Sequence, residues 1–167
     1  HTWTKTSLQY RILHKVEKLQ GKHADKLICC TADMSEFVET NFHFKIRNQL
    51  VKPACVDLDQ FSFANRKNPY LLKTLGLEDK IVCVYAGKFG GLYLEQEVFD
   101  FIKVANDYWQ GKFRVLLLTN ETQEKVDHWI KIAGIPDGVV KKEFVFHSRI
   151  PDYMGLGDFG ISPYNPV

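Results

Sequence analysis

The chain has 167 residues, of which 45% are hydrophobic and 25% charged, and its formal net charge is +2. That length accommodates one domain with a real core, or one domain and part of another, at ordinary globular composition. The near-neutral charge gives no electrostatic footprint for nucleic acid, and no apolar run is long enough to cross a bilayer.

The start at His1 lacks a charged-then-apolar leader and reads as a cut end. Ser7 to Gly21 carries Leu8, Ile12, Leu13, Val16 and Leu19 at helical spacing, with Gly21 as a stop. Lys26 to Cys30 is a short buried-strand candidate. A helix over Ala32 to Thr40 follows, capped by Thr31, with Met34, Phe37 and Val38 on its inner side. Gln49 to Lys52 is another short strand. Asp57 and Asp59 read as turn and cap residues, and Ser62 to Pro69 as a polar linker. Tyr70 to Leu77 forms a short helix.

From Lys80 the pattern is regular. Strands are expected over Lys80–Ala86, Phe113–Thr119, within Val139–Phe146, and over Phe159–Ser162. Helices are expected over Tyr93–Trp109, Glu121–Ala133 and Pro151–Leu156. Strands alternating with helices imply right-handed crossovers, so the fold class is α/β: a Rossmann-like parallel sheet with helices on both faces. In that order the fourth strand pairs with the first and becomes an apolar edge just before Val167, which reads as truncation.

The cysteines are Cys29, Cys30, Cys55 and Cys83. None forms a C-x-x-C pair, and three lie in apolar runs that suit buried free thiols, so a reducing cytoplasm is the expected compartment. His14, His23, His43 and His128 show no metal-ligand spacing, and no metal site is assigned. Tyr108, Trp109 and Trp129 read as packing residues.

Gly87-Lys88-Phe89-Gly90-Gly91 lies between a strand and a helix. Glycines allow close backbone approach, a helix start offers unpaired N–H groups, and Lys88 adds a cation, a combination that suits a diphosphate. The spacing matches neither G-x-G-x-x-G nor the P-loop. Taken alone, it could equally be a tight turn. Thr119-Asn120-Glu121 and His147-Ser148-Arg149-Ile150-Pro151 follow the next two strands and fall on the same carboxyl rim, where ligands of open α/β sheets collect. Thr119-Asn120-Glu121 could simply cap the next helix. His147 has no nucleophile-elbow partner, which disfavours a hydrolase and favours a positioning role.

These segments, from Val16 onward, resemble the retaining glycosyltransferase family often called group 1, built from two facing Rossmann-like domains. The likeness rests on Ala24-Asp25-Lys26-Leu27-Ile28-Cys29-Cys30-Thr31, on Val56, Asp57 and Phe61 in the interdomain crossing, on Gly87-Lys88 in place of Gly-Arg, and on Val145-Phe146-His147 through Gly157-Asp158-Phe159-Gly160-Ile161-Ser162-Pro163. Ala54-Cys55 replaces the usual Asn-Gly, and Tyr93 stands in the region of a customary second lysine.

The resemblance implies that residues 1–67 are the tail of an acceptor-side domain with the crossing. Residues 68–167 are then the first part of a donor-side domain that is incomplete. It implies transfer of a sugar from a nucleotide-diphosphate sugar to an acceptor hydroxyl, with retention, in polysaccharide or glycoconjugate synthesis. Lys88 is the expected catalytic group. Gly87, Lys88, Phe89, Gly90, Gly91, Thr119, Asn120, His147, Ser148, Arg149, Ile150 and Tyr164 are the expected donor-binding set. No cofactor is expected beyond the donor substrate. The acceptor is a carbohydrate or lipid-linked molecule, and no nucleic-acid partner is expected. The intact enzyme is placed in the cytoplasm, with peripheral association at the inner membrane face, and the isolated chain is expected to be inactive. A sugar-nucleotide epimerase or phosphorylase of similar architecture, or a non-enzymatic α/β interaction module, is the alternative.

Overall fold

The computed structural model describes residues 3–165. His1 and Val167, on which the readings of the two chain ends rest, lie outside them. The chain divides into two compact units, His1–Val56 and Asp57–Val167.

The first unit contains α1 (Leu8–His23), β1 (Leu27–Cys29), α2 (Ala32–Phe42) and β2 (Gln49–Val51), with β1 and β2 parallel. Ser7 caps α1 by accepting from Tyr10 N–H, and Thr31 caps α2 by accepting from Met34 N–H. The expected stop at Gly21 is corrected: α1 runs through it, and a Cβ there would lie 2.9 Å from the Phe44 ring. Gly21 therefore makes room for an aromatic side chain and ends nothing. The expected inner faces are also corrected. Leu8, Ile12, Leu13, Val16 and Leu19 on α1, and Met34 and Phe37 on α2, are exposed. Buried instead are Cys29, Ser35 and Phe42, with the His14 ring 4.7 Å from that of Phe42. Two strands of three residues each supply too little apolar surface to cover both helices.

The second unit holds α3 (Pro69–Leu75), β3 (Ile81–Ala86), α4 (Gln96–Tyr108), β4 (Phe113–Leu118), α5 (Gln123–Ala133), β5 (Val140–Glu143), α6 (Ile150–Met154) and β6 (Phe159–Gly160). Its strands run parallel in the order β5-β4-β3-β6, the expected Rossmann-like arrangement with the fourth strand beside the first. Side chains alternate across the sheet with period two. Cys83, Tyr85, Val115 and Leu117 meet α4 and α5 through Phe99, Ile102, Val126 and Trp129. On the other face Val82, Val84, Leu116 and Leu118 meet Leu71, Leu75 and Leu156. β3 is therefore apolar throughout, and β4 is apolar except for Arg114, as strands covered on both faces require. Lys141 and Lys142 on the outer strand β5 discourage pairing with another sheet.

The edge at β6 was expected to be long and apolar; it is two residues. Past it, the chain turns to pair with the segment before α4, where Tyr93 and Tyr164 form an antiparallel bridge. The same pairing moves the start of α4 from the expected Tyr93 to Gln96.

The compact units divide ahead of the expected domain boundary at 67. Residues 57–67 join the second unit because a 3-10 turn, Phe63–Asn65, is tied to α6 and the start of β6. Asn65 Nδ2 donates to Asp152 Oδ1 at 3.0 Å, and Lys67 Nζ meets Asp158 at 2.8 Å. A Cβ on Gly155 would fall 2.2 Å from the Asn65 carbonyl oxygen, so that close approach needs glycine. Asp57 folds its own turn, as expected, accepting from Asp59 N–H and Gln60 Nε2.

All four cysteines are free, but two are buried (Cys29, Cys83) and two exposed (Cys30, Cys55), where three buried thiols were expected. Burial pushes the Cys83 thiol up to about 12. Among the described residues no helix is long and apolar enough to cross a membrane.

Candidate functional site

The carboxyl ends of β3, β4 and β5 open onto a groove of about 420 Å³. Gly87, Thr119, Asn120, His147 and Ile150 line it together, so residues expected from three separate loops converge. Ala86, Leu118, Phe144, Val145 and Phe146 complete the wall. Most of this lining is apolar, with a few convergent polar groups, the usual make-up of a small-molecule site.

The loop after β3 flanks the groove. Gly90 and Gly91 sit at φ +87° and +69°, conformations that cost a side-chain-bearing residue but not glycine. The Gly87 N–H donates to the Leu118 carbonyl at 3.0 Å, extending the ladder, and is not available to a ligand. The N–H groups of Lys88, Phe89 and Gly91 have no backbone partner among the described residues. Lys88 is exposed and forms no ion pair among the described residues. It lies one residue beyond the groove lining.

Phe89 contributes to a ligand only through its backbone. Its ring is buried, stacked on Tyr85 at 4.5 Å and packed 4.9 Å from Trp129 and 5.6 Å from Phe99. The Tyr85 hydroxyl donates to the Lys88 carbonyl at 2.8 Å. The loop is thus anchored from beneath by two aromatic residues. Trp129 is a core residue, as expected, with Lys125 Nζ 4.7 Å above its ring; Trp109 packs on Phe113, while Tyr108 is exposed.

The other expected residues are placed less directly. Thr119 is buried, and its hydroxyl accepts from Glu121 N–H; the cap of α5 is Thr122, not Thr119-Asn120-Glu121. Asn120 is therefore free of a capping role. His147 begins a 3-10 turn that runs to Arg149. Ser148 and Arg149 do not line the groove, and the Arg149 guanidinium is committed to Asp152 at 2.9 Å. Tyr164 sits away from the groove, with its ring 5.0 Å from that of Tyr93.

Three features were not read from the sequence. Phe144 and Phe146 leave exposed rings at the groove mouth, 5.9 Å apart and edge-to-face. Their alternation in Glu143-Phe144-Val145-Phe146, directly after a charged strand, was the available signal. Glu95, at the cap position of α4, lies against the loop: a Cβ on Gly90 would come 2.6 Å from its Oε1. Tyr93 faces Tyr164 through backbone pairing that no local periodicity announces.

A larger cavity, about 600 Å³, lies at the amino end of the sheet, lined by Leu58, Phe61, Phe63, Met154 and Asp158. Burial pushes Asp158 up, but bonds from Lys67 and the Val82 N–H outweigh it and hold the carboxyl below its ordinary value. That carboxylate is already engaged by Lys67 and the Val82 N–H, whereas ligands of open α/β sheets bind outside the carboxyl ends of the strands. We place the candidate site at the carboxyl rim.

Neither a protein-family model nor a curated protein sequence matches the chain. Solved structures do. A glycosyltransferase from Rickettsia africae ESF-5 superposes with a TM-score of 0.64 at 13% identity, over 96% of this chain and 42% of that one. Anabaena Alr3699/HepE, solved in complex with UDP and glucose, gives 0.62 at 16% identity, over 90% of this chain and 41% of its own. The chain thus has a Rossmann-like α/β fold shared with solved glycosyltransferases, and it spans less than half the length of either.

Proposed function

We propose that the second unit binds the nucleotide-diphosphate part of a sugar donor, and that the chain is part of a larger two-domain glycosyltransferase. The observation that carries this is the groove at the carboxyl rim, where Gly87, Thr119, Asn120, His147 and Ile150 converge beside a loop bearing Lys88. Support comes from the fold shared with two glycosyltransferases, one of them solved with UDP and glucose. The nucleoside occupies the groove, with its base near Phe146 and His147. The diphosphate lies toward Lys88 and the N–H groups of Phe89 and Gly91.

In the transfer step the bond between the anomeric carbon and the leaving phosphate oxygen breaks. A bond forms to the acceptor hydroxyl oxygen, whose proton is released. Negative charge grows on the departing diphosphate, and Lys88 with the loop N–H groups stabilises it more in the transition state than before. We propose retention at the anomeric carbon and a carbohydrate or lipid-linked acceptor in glycoconjugate or polysaccharide synthesis. The intact enzyme is proposed to work in the cytoplasm, at the membrane face.

The test is titration of the chain with UDP, followed by backbone amide NMR. Shifts confined to 86–91, 118–120 and 144–150 are expected; shifts absent from all three segments would end the proposal. With the complete enzyme, analysis of products by anomeric NMR separates transfer from epimerisation and retention from inversion.

Glu95 adds a second prediction. Its carboxylate lies against the loop that is to receive an anion. Glu95 is half-buried, and relief of like-charge repulsion across the solvent there contributes about 0.2–1 kcal/mol. Glu95→Gln should therefore tighten UDP binding by up to about fivefold. Weaker binding in calorimetry would place the diphosphate elsewhere.

A further inference from the structure

We propose that Tyr85 is a positioning residue of the donor site: its buried hydroxyl holds the Lys88 carbonyl inward and thereby turns the Phe89 N–H outward, toward an anion. The inference deepens the donor-site reading above and rests on it.

The hydroxyl is a fixed point. Tyr85 lies in β3, paired with Leu117 of β4, and is 2% exposed. Its ring lies flat against that of Phe89, with 4.5 Å between centroids and 5° between planes. A carbonyl oxygen can only accept, so the phenol spends its one hydrogen on Lys88, at 2.8 Å. A strand residue paired in the sheet cannot follow the loop if the loop moves. The bond therefore ties a mobile segment to a rigid one.

Peptide geometry carries that tie to the other side of the loop. No peptide bond among the described residues is cis. In a trans unit the C=O and the next N–H share a plane and point in opposite directions. With the Lys88 carbonyl aimed at the phenol, the Phe89 N–H is aimed away from it. That N–H has no partner among the described residues. A main-chain donor left unpaired beside a buried ring is satisfied from outside, by water or by an anion. The other main-chain ties of the loop lie to either side of this peptide unit. Gly87 N–H donates to the Leu118 carbonyl, and Tyr93 N–H donates to the Gly90 carbonyl at 3.2 Å. Between them the phenol alone orients the plane. Without the hydroxyl the Lys88 carbonyl would face the core unpaired, a cost that rotation of the plane toward water relieves. The same rotation takes the Phe89 N–H out of line with a phosphate oxygen. Tyr85 thus acts on the charge of the ligand and not on its nucleoside.

The experiment uses the 167-residue chain, with UDP and uridine as probes. Affinities are measured by calorimetry, well below the melting temperature, for wild type, Tyr85→Phe, Lys88→Ala and Ile102→Val, and amide NMR spectra follow Phe89. Tyr85→Phe removes the hydroxyl and keeps the ring. Ile102→Val, a buried change on α4 of comparable cost to folding, controls for stability alone. Loss of a hydrogen bond to a charged acceptor predicts that Tyr85→Phe binds UDP about tenfold more weakly. Uridine affinity should be unchanged. UDP should move the Phe89 amide proton downfield in wild type and not in Tyr85→Phe. Ile102→Val should bind UDP as wild type does. UDP affinity unchanged in Tyr85→Phe overturns the inference. So does an equal loss for UDP and uridine, or an equal loss of UDP binding in Ile102→Val, either of which would mean that the phenol serves only the core. If Lys88→Ala weakens UDP binding and Tyr85→Phe does not, the donor site stands and the positioning role falls. A wild-type chain that binds no UDP overturns the donor site and the positioning role together.

Discussion

If the proposed donor site is right, replacing Lys88 with alanine in the complete enzyme should lower the rate of sugar transfer by about 10²–10³-fold, or about 2.7–4 kcal/mol. The size follows from where the charge is needed. A departing diphosphate gains negative charge as its bond to the sugar breaks, and a cation already in place stabilises that charge without reorganising. The same substitution should leave folding nearly untouched, because Lys88 is exposed and in no ion pair among the described residues. Steady-state kinetics and a thermal melt on the same variant separate the two effects. Transfer preserved to within a few-fold would show that the leaving group departs without this side chain.

The largest expected change in stability is at Phe99. Its side chain is fully buried and lies 5.1 Å from the Trp129 ring and 5.6 Å from that of Phe89. Truncation to alanine costs about 3–5 kcal/mol, from lost burial and from the cavity left behind. For a chain of this size that lowers the melting temperature by roughly 6–20 °C. Tyr108→Ala serves as the control: on the same helix but 76% exposed, it should shift the melt little. Because Phe89 belongs to the loop as well as to the core, Phe99→Ala should also weaken UDP binding below its melting temperature. A destabilised variant with wild-type affinity would mean that the loop holds its shape without the core behind it.

The sequence was most informative where burial is two-sided. The continuous apolar run at 81–86, and the run at 113–118 interrupted only by Arg114, identified β3 and β4, and the glycines at 87, 90 and 91 marked the turn between β3 and α4. Convergence of three rim loops followed from parallel topology, and Gly87, Thr119, Asn120, His147 and Ile150 do meet. What local pattern could not supply was partnership at a distance. Arg149, expected among the donor-binding residues, pairs through its Nε with Asp152 three residues on. Tyr93 was placed inside a helix because nothing near it discloses Tyr164 as its pairing partner. In the first unit the helical periodicity of α1 was real, yet its apolar stripe is exposed. Amphipathic spacing states which face should be covered and not what covers it.

The position of Phe89 has a consequence for anyone wishing to transplant this loop. Gly87–Gly91 looks like a portable cassette of turns and one cation. Its middle residue, however, is a plug whose socket is made by Tyr85, Phe99 and Trp129, on two helices and a strand. Grafted onto a scaffold without that socket, the segment would keep its glycines and lose its shape, so any inherited affinity would require moving the aromatic cage as well.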